Sequence, residues 1–126
     1  MKIKLRTLNT LFPGITGIYD SIHKFARVID LSPAYKEIKN VVELFEEKRK
    51  NLLPTTDEDG NMSVKDYTAF EKAVNAILDE EISLKNNLKF SVEEAKSALE
   101  AKAIKSSQFV ALQDIFIAKA TETEPK

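Results

Sequence analysis

The sequence contains no cysteine, a single histidine, three glycines and four prolines. Without cysteine there can be no disulfide, no zinc–thiolate site and no thiol nucleophile, a composition compatible with a reducing compartment. Scarce glycine and proline leave few turn punctuators, which favours long helices over a many-stranded sheet. One histidine cannot supply the paired Glu-x-x-His motifs of a di-metal bundle. Neither sign of charge dominates. With 19 basic and 20 acidic residues the net charge is -1, so nucleic acid is not expected as the main partner. Long hydrophobic runs are also missing: the most apolar stretch, 11–31, carries Asp20, His23, Lys24, Arg27 and Asp30. That density of charge excludes a membrane span. The opening "MKIKLRTLNTLF" lacks the apolar run and small-residue cleavage site of a signal peptide. A protein of the cytoplasm, without a membrane partner, is expected.

What is present is enough to fold. Hydrophobic residues make up 43% of 126 residues, sufficient for one core. The expected organisation is a single helical domain over 1–120 followed by a polar tail, 121–126. Residues 2–6 alternate polar and apolar, the period of a half-buried strand. Pro13 sits where a helix could begin, after a break at "NTLFPG". The apolar positions Ile15, Ile18, Ile22, Phe25 and Ile29 then trace one face of a first helix. Ser32 and Pro33 have the chemistry of an N-cap and first helical residue for a second helix. Its stripe is Tyr35, Ile38, Val42, Phe45 and Leu52, and Pro54 ends it at or before Leu53. Ser63 and Asp66 approximate a capping box ahead of a third stripe, Val64, Tyr67, Phe70, Val74, Ile77 and Leu78. "EISLKNNLKF" (81–90) reads as extended and as a partner for the N-terminal strand. Ser91 caps a helix buried through Val92, Ala95, Leu99 and Ala103, and a last short helix holds Phe109, Leu112 and Phe116. The fold class expected is mainly α: a helical hairpin or small bundle with a minor strand pair.

The one hint of metal chemistry is "TTDEDGNMSVKD" (55–66), which resembles an EF-hand loop. Gly60 and Met62 fall at the right positions, and Asp57, Asp59 and Asp66 could offer oxygens. Thr55 stands where the first ligand should be an aspartate, however, and Asp66 replaces the bidentate glutamate that closes the cage. An acidic Asp-Gly turn between two helices is the preferred reading, with degenerate calcium binding as the alternative. His23 has Asp20 and Arg27 one helical turn away, which suits an exposed helix edge better than a catalyst or ligand. "PGITG" lacks the lysine and spacing of a phosphate loop. The cluster "EEKRK" (46–50) reads as solvated helix surface. No catalytic residue and no cofactor site is expected.

Several segments carry a resemblance: "MKIKLRTLN", "SPAYKEIKNVVELFEEKRKNLL", "DEDGN", "FEKAVNAILDEEISL" and "SSQFVALQDIF". Together they look like a family of small helical proteins of tailed bacteriophages and prophages, a domain of unknown function. The resemblance implies a phage gene, no enzymatic activity, and an acidic segment that is only an inter-helix turn. It maps no active-site residue. The expectation that follows is a virion structural or assembly accessory acting by protein contacts, with other phage proteins or with itself. It would occur in the host cytoplasm during infection or be incorporated in the virion. A small phage-encoded inhibitor of a host defence or regulatory protein is the alternative. Phe12, Phe109 and Phe116 are the candidate apolar anchors for a partner.

Overall fold

In a computed structural model, residues 1–53 and 64–118 are described. The elements run β1 (Lys2–Lys4), α1 (Leu5–Ser21), α2 (Phe25–Leu52), α3 (Val64–Leu78), β2 (Glu81–Ser83), α4 (Val92–Glu100) and α5 (Ser106–Leu112). The chain is mainly helical with a small antiparallel strand pair, as its composition and periodicity indicate. β1 pairs with β2 in the register Lys2↔Ser83, Ile3↔Ile82 and Lys4↔Glu81. The Leu84 amide donates to the Met1 carbonyl at 2.7 Å, extending that ladder. Beyond Leu84 the expected strand gives way to a turn. The Glu37 carboxylate holds it, accepting from the backbone amides of Lys85 at 2.7 Å and Asn86 at 3.0 Å.

α1 is the central helix. Leu8, Leu11, Ile15 and Ile18 recur at helical spacing on its buried face, and it packs against α2, α4 and α5. Leu31, Ala34, Tyr35, Ile38 and Val42 of α2 join that core, as do Leu84, Leu88, Phe90, Leu112 and Phe116. α4 approaches α1 closely because the residues between them are small. Ala95 and Ala98 are fully buried, and a Cβ on Gly17 would come within 2.6 Å of the Ala103 carbonyl oxygen. The C-terminal part is pinned by backbone. Phe90 donates to the Phe116 carbonyl and Ala118 donates to the Phe90 carbonyl, both at 2.8 Å.

Three boundaries differ from the sequence-based expectations. α1 starts at Leu5, directly after the strand, and carries Pro13 inside it. The expected first helix through Ile29 is interrupted at 22–24, where Ile22 (φ -78°, ψ 124°) and Lys24 (φ -71°, ψ 111°) are extended. α2 then starts at Phe25 and runs through Ser32 and Pro33, so these two do not cap it. The C-terminal boundary is as expected, at Leu52. Ser91 is the N-cap of α4, and its hydroxyl accepts from the Glu94 amide in a full capping box. On α4 it is Ala98 rather than Ala103 that is buried, and Ala103 is exposed just past the helix end. α3 forms where its apolar stripe places it, yet none of its described side chains is fully buried.

Candidate protein-contact surface

Chemistry-bearing side chains are sparse and scattered. His23 is exposed and lines an open cleft of about 280 Å³ with Ser21, Ile22, Lys24, Glu93, Glu94 and Ser97. Among the described residues no three His, Cys, Asp or Glu side chains lie together in a way that could hold a metal ion. Asp57 and Asp59, with most of the EF-hand-like loop and the Ser63 cap, lie outside the described residues. Asp66 is exposed in the first turn of α3, where a carboxylate suits the helix dipole. Also among the described residues, no helix is long and apolar enough to cross a membrane.

A cluster of charged and polar groups joins the start of α2 to the start of α4. Arg27 Nε donates to Glu94 Oε2 at 2.7 Å, and its Nη2 donates to Glu94 Oε1 at 3.1 Å and to the Lys89 carbonyl at 2.9 Å. The same Glu94 accepts from the Ser91 amide at 2.8 Å, so one carboxylate serves both cap and ion pair. Burial pushes the Glu94 pKa up, but the hydrogen bonds from Arg27 and from Ser91 outweigh it and hold the carboxyl below its ordinary value. The hydrogen bond to Glu94 in turn raises Arg27 above its already high pKa, against the opposing effect of burial. This is a structural clasp. It fixes the direction in which α2 leaves the 22–24 break.

In that direction two large apolar side chains of α2 stand in solvent. Phe25 is 74% exposed and Ile29 55% exposed, one turn apart at the beginning of α2. Leu44, also 55% exposed, follows about five turns later. At 100° per residue Phe25, Ile29, Pro33 and Leu44 fall within an arc of roughly 100°, opposite the face buried through Leu31, Tyr35, Ile38 and Val42. Between them stand the exposed polar residues Lys36 and Asn40.

The anchors expected from sequence are placed differently. Phe116 is fully buried, in the core between α5 and Phe90, and cannot meet a partner. Phe12 and Phe109 are half-buried against the core. Phe12 belongs to an aromatic stack in which Tyr35 lies 6.1 Å from Phe12 and 4.0 Å from Tyr19. The Tyr35 hydroxyl and Thr16 Oγ1 share a hydrogen bond of 3.1 Å. Periodicity assigned Phe25 and Ile29 to a buried stripe, and they are exposed because the break at 22–24 resets the helical phase. A legible signal existed. Extending the stripe of Tyr35, Ile38, Val42 and Phe45 backwards reaches Leu31, and leaves Phe25 and Ile29 off it. Pro33, read as a helix start, concealed that continuity.

No protein-family model, no curated protein and no solved structure matches this chain.

Proposed function

We propose that the chain is a non-enzymatic protein-contact module whose working surface is the outward face of α2. The observation that carries this reading is Phe25, which leaves most of an aromatic side chain in water at the start of α2. Aromatic side chains on rigid elements are the usual anchors of protein interfaces, because they cover much area with little loss of conformational freedom. The role as a virion structural or assembly accessory of a bacteriophage is supported by the segment resemblance alone.

The test is a photo-crosslinking amino acid placed at position 25 of the full chain and, as a control, at Val110. Val110 is 63% exposed on α5, on a different helix. Expressed in the cells where the gene normally acts, the chain should form a defined covalent adduct from position 25 and not from position 110. Equal labelling from both positions, or none from position 25, would contradict the proposal. The adduct's identity then decides the role. A virion component supports the accessory reading, and a host regulatory protein supports the inhibitor.

A further inference from the structure

The break between α1 and α2 lacks the signals that hold most helix ends. It consists of Ile22, His23 and Lys24, with no glycine or proline among them. α1 ends on Ile22 (φ -78°, ψ 124°) and not on a left-handed glycine cap. α2 starts without a side-chain cap and without an acid in its first turn. None of the three residues strongly opposes a helix. The apolar stripe of α1 also runs through the break in phase. At 100° per residue Leu11, Ile15, Ile18, Ile22, Phe25 and Ile29 would share an arc of roughly 80° on one unbroken helix. In the single chain the break takes Phe25 and Ile29 off that stripe and leaves them 74% and 55% exposed. The buried stripe of α2, Leu31, Tyr35, Ile38 and Val42, would lie on roughly the opposite side of such a helix. A straight helix would therefore turn its α1 half and its α2 half toward two different bodies.

We propose that the break is an exchange hinge. Residues 22–24 become helical, α1 and α2 join into one helix over 5–52, and residues 1–21 pack on a second copy of the chain, which returns its own. β1 pairs with β2 of the other copy, and α1 meets α2, α3, α4 and α5 of the other copy, so the described contacts of the exchanged segment are remade. Among them are the stack of Tyr19 on Tyr35 and the hydrogen bond between Thr16 and Tyr35. The difference between the two forms is confined to the hinge. There the exchange adds helical backbone bonds and returns Phe25 and Ile29 to the phase of the α1 stripe, on the side that faces the other copy. Arg27 keeps its bonds to Glu94 and to the Lys89 carbonyl in either form, because all three belong to the part that is not exchanged. It holds the start of α2 on its own body and leaves 22–24 as the segment that changes. A short connection of this kind is the usual site of exchange between copies. The exchange does not depend on the α2 contact face proposed above.

The absence of cysteine makes the test clean. Thr10→Cys on α1 and Lys36→Cys on α2, both at exposed positions, place two spin labels and no others on the full chain. Labelled chains are refolded with an excess of unlabelled ones, so that pulsed dipolar spectroscopy reads distances within one chain. Concentrations run through roughly the micromolar to millimolar range. In the single chain Tyr35 stacks beside Phe12, and the two labels sit close together across the pair of helices. In the exchanged form they stand about 39 Å apart along one helix, at 1.5 Å per residue. Sedimentation should separate a single chain with the short distance from a dimer with the long one, the dimer growing with refolding concentration. Lys24 has φ -71°, which suits proline, so Lys24→Pro should fold as a single chain yet lose the dimer, because proline obstructs a straight helix. His23→Ala, at an exposed position, should raise the association constant roughly fivefold through better helix propensity in both copies. The short distance alone at every concentration, or Lys24→Pro forming the long-distance dimer as readily as wild type, would overturn the exchange. A dimer that keeps the short distance would also overturn it, while leaving the contact face of α2 intact.

Discussion

Glu94 performs two tasks with one carboxylate, and the removal of each can be separated. Glu94→Ala loses the charge-assisted pair with Arg27 and the reciprocal half of the α4 cap, and should cost about 2–3 kcal/mol in chemical denaturation. Glu94→Gln can still accept from the Ser91 amide, and should cost roughly 1 kcal/mol. The pH dependence follows from the sign of the shift. The folded carboxyl titrates below its ordinary value, so its contribution is complete above that ordinary value of about 4.3 and is lost as pH falls through the lower, folded one. The stability gap between wild type and Glu94→Gln should therefore be constant near neutrality and close only in acid. A gap unchanged at low pH would show that the pair is not what Gln removes. The Ser91 cap was legible in the sequence, because serine followed by acids is a local signal. Its ion pair with Arg27, 67 residues away, was not, since nothing local connects the two.

Helix ends and helix approaches decide the architecture at the next scale. Gly17 lies where α1 passes the end of α4, and a Cβ there would sit 2.6 Å from both the Ala103 carbonyl oxygen and Ile104 Cγ2. Backbone cannot yield as a side chain can. Gly17→Ala should therefore destabilise by about 1–3 kcal/mol, despite alanine's better helix propensity. Gly14 makes the contrast within the same helix. Its nearest obstacle is the Leu112 Cδ1 methyl at 2.9 Å, the far end of a flexible side chain, so Gly14→Ala should fall within about 1 kcal/mol of wild type. Urea denaturation of the two variants side by side measures the difference. Pro33 offers a third case, a proline in the interior of α2. Pro33→Ala restores the missing amide donor and should raise stability by roughly 1–3 kcal/mol in thermal melts.

The elements were unevenly legible. Tyr35 to Phe45 kept one phase and were found, and the β1 strand was found from alternation. Pro13 and Pro33 were each taken as helix starts because the first helical turn is proline's usual place. Both lie in helix interiors instead, where tertiary packing outweighs the local cost. The break at 22–24 contains none of the residues that ordinarily punctuate a chain, so nothing local separated Ile22 from Phe25 and Ile29, and only the phase of the later stripe set them apart.

Among the described residues the buried apolar side chains gather on α1 and what surrounds it, while Phe25, Ile29 and Leu44 stand exposed on the outward face of α2. Buried aromatics such as Phe90 and Phe116 close the core, whereas Phe25 stands 74% in water. The side chains chosen from sequence as anchors were judged by type, and only their placement separates an anchor from core. The proposed contact face should be open in the single chain and closed by protein. Hydroxyl-radical footprinting read at residue resolution tests it directly. At high dilution Phe25 and Ile29 should be oxidised rapidly while Phe90 and Phe116 stay protected. In concentrated solution or in the cell, Phe25 and Ile29 should become protected while the exposed Val110 does not. Protection of Phe25 at high dilution, or labelling of Phe25 that never changes with concentration or cellular context, would contradict the account.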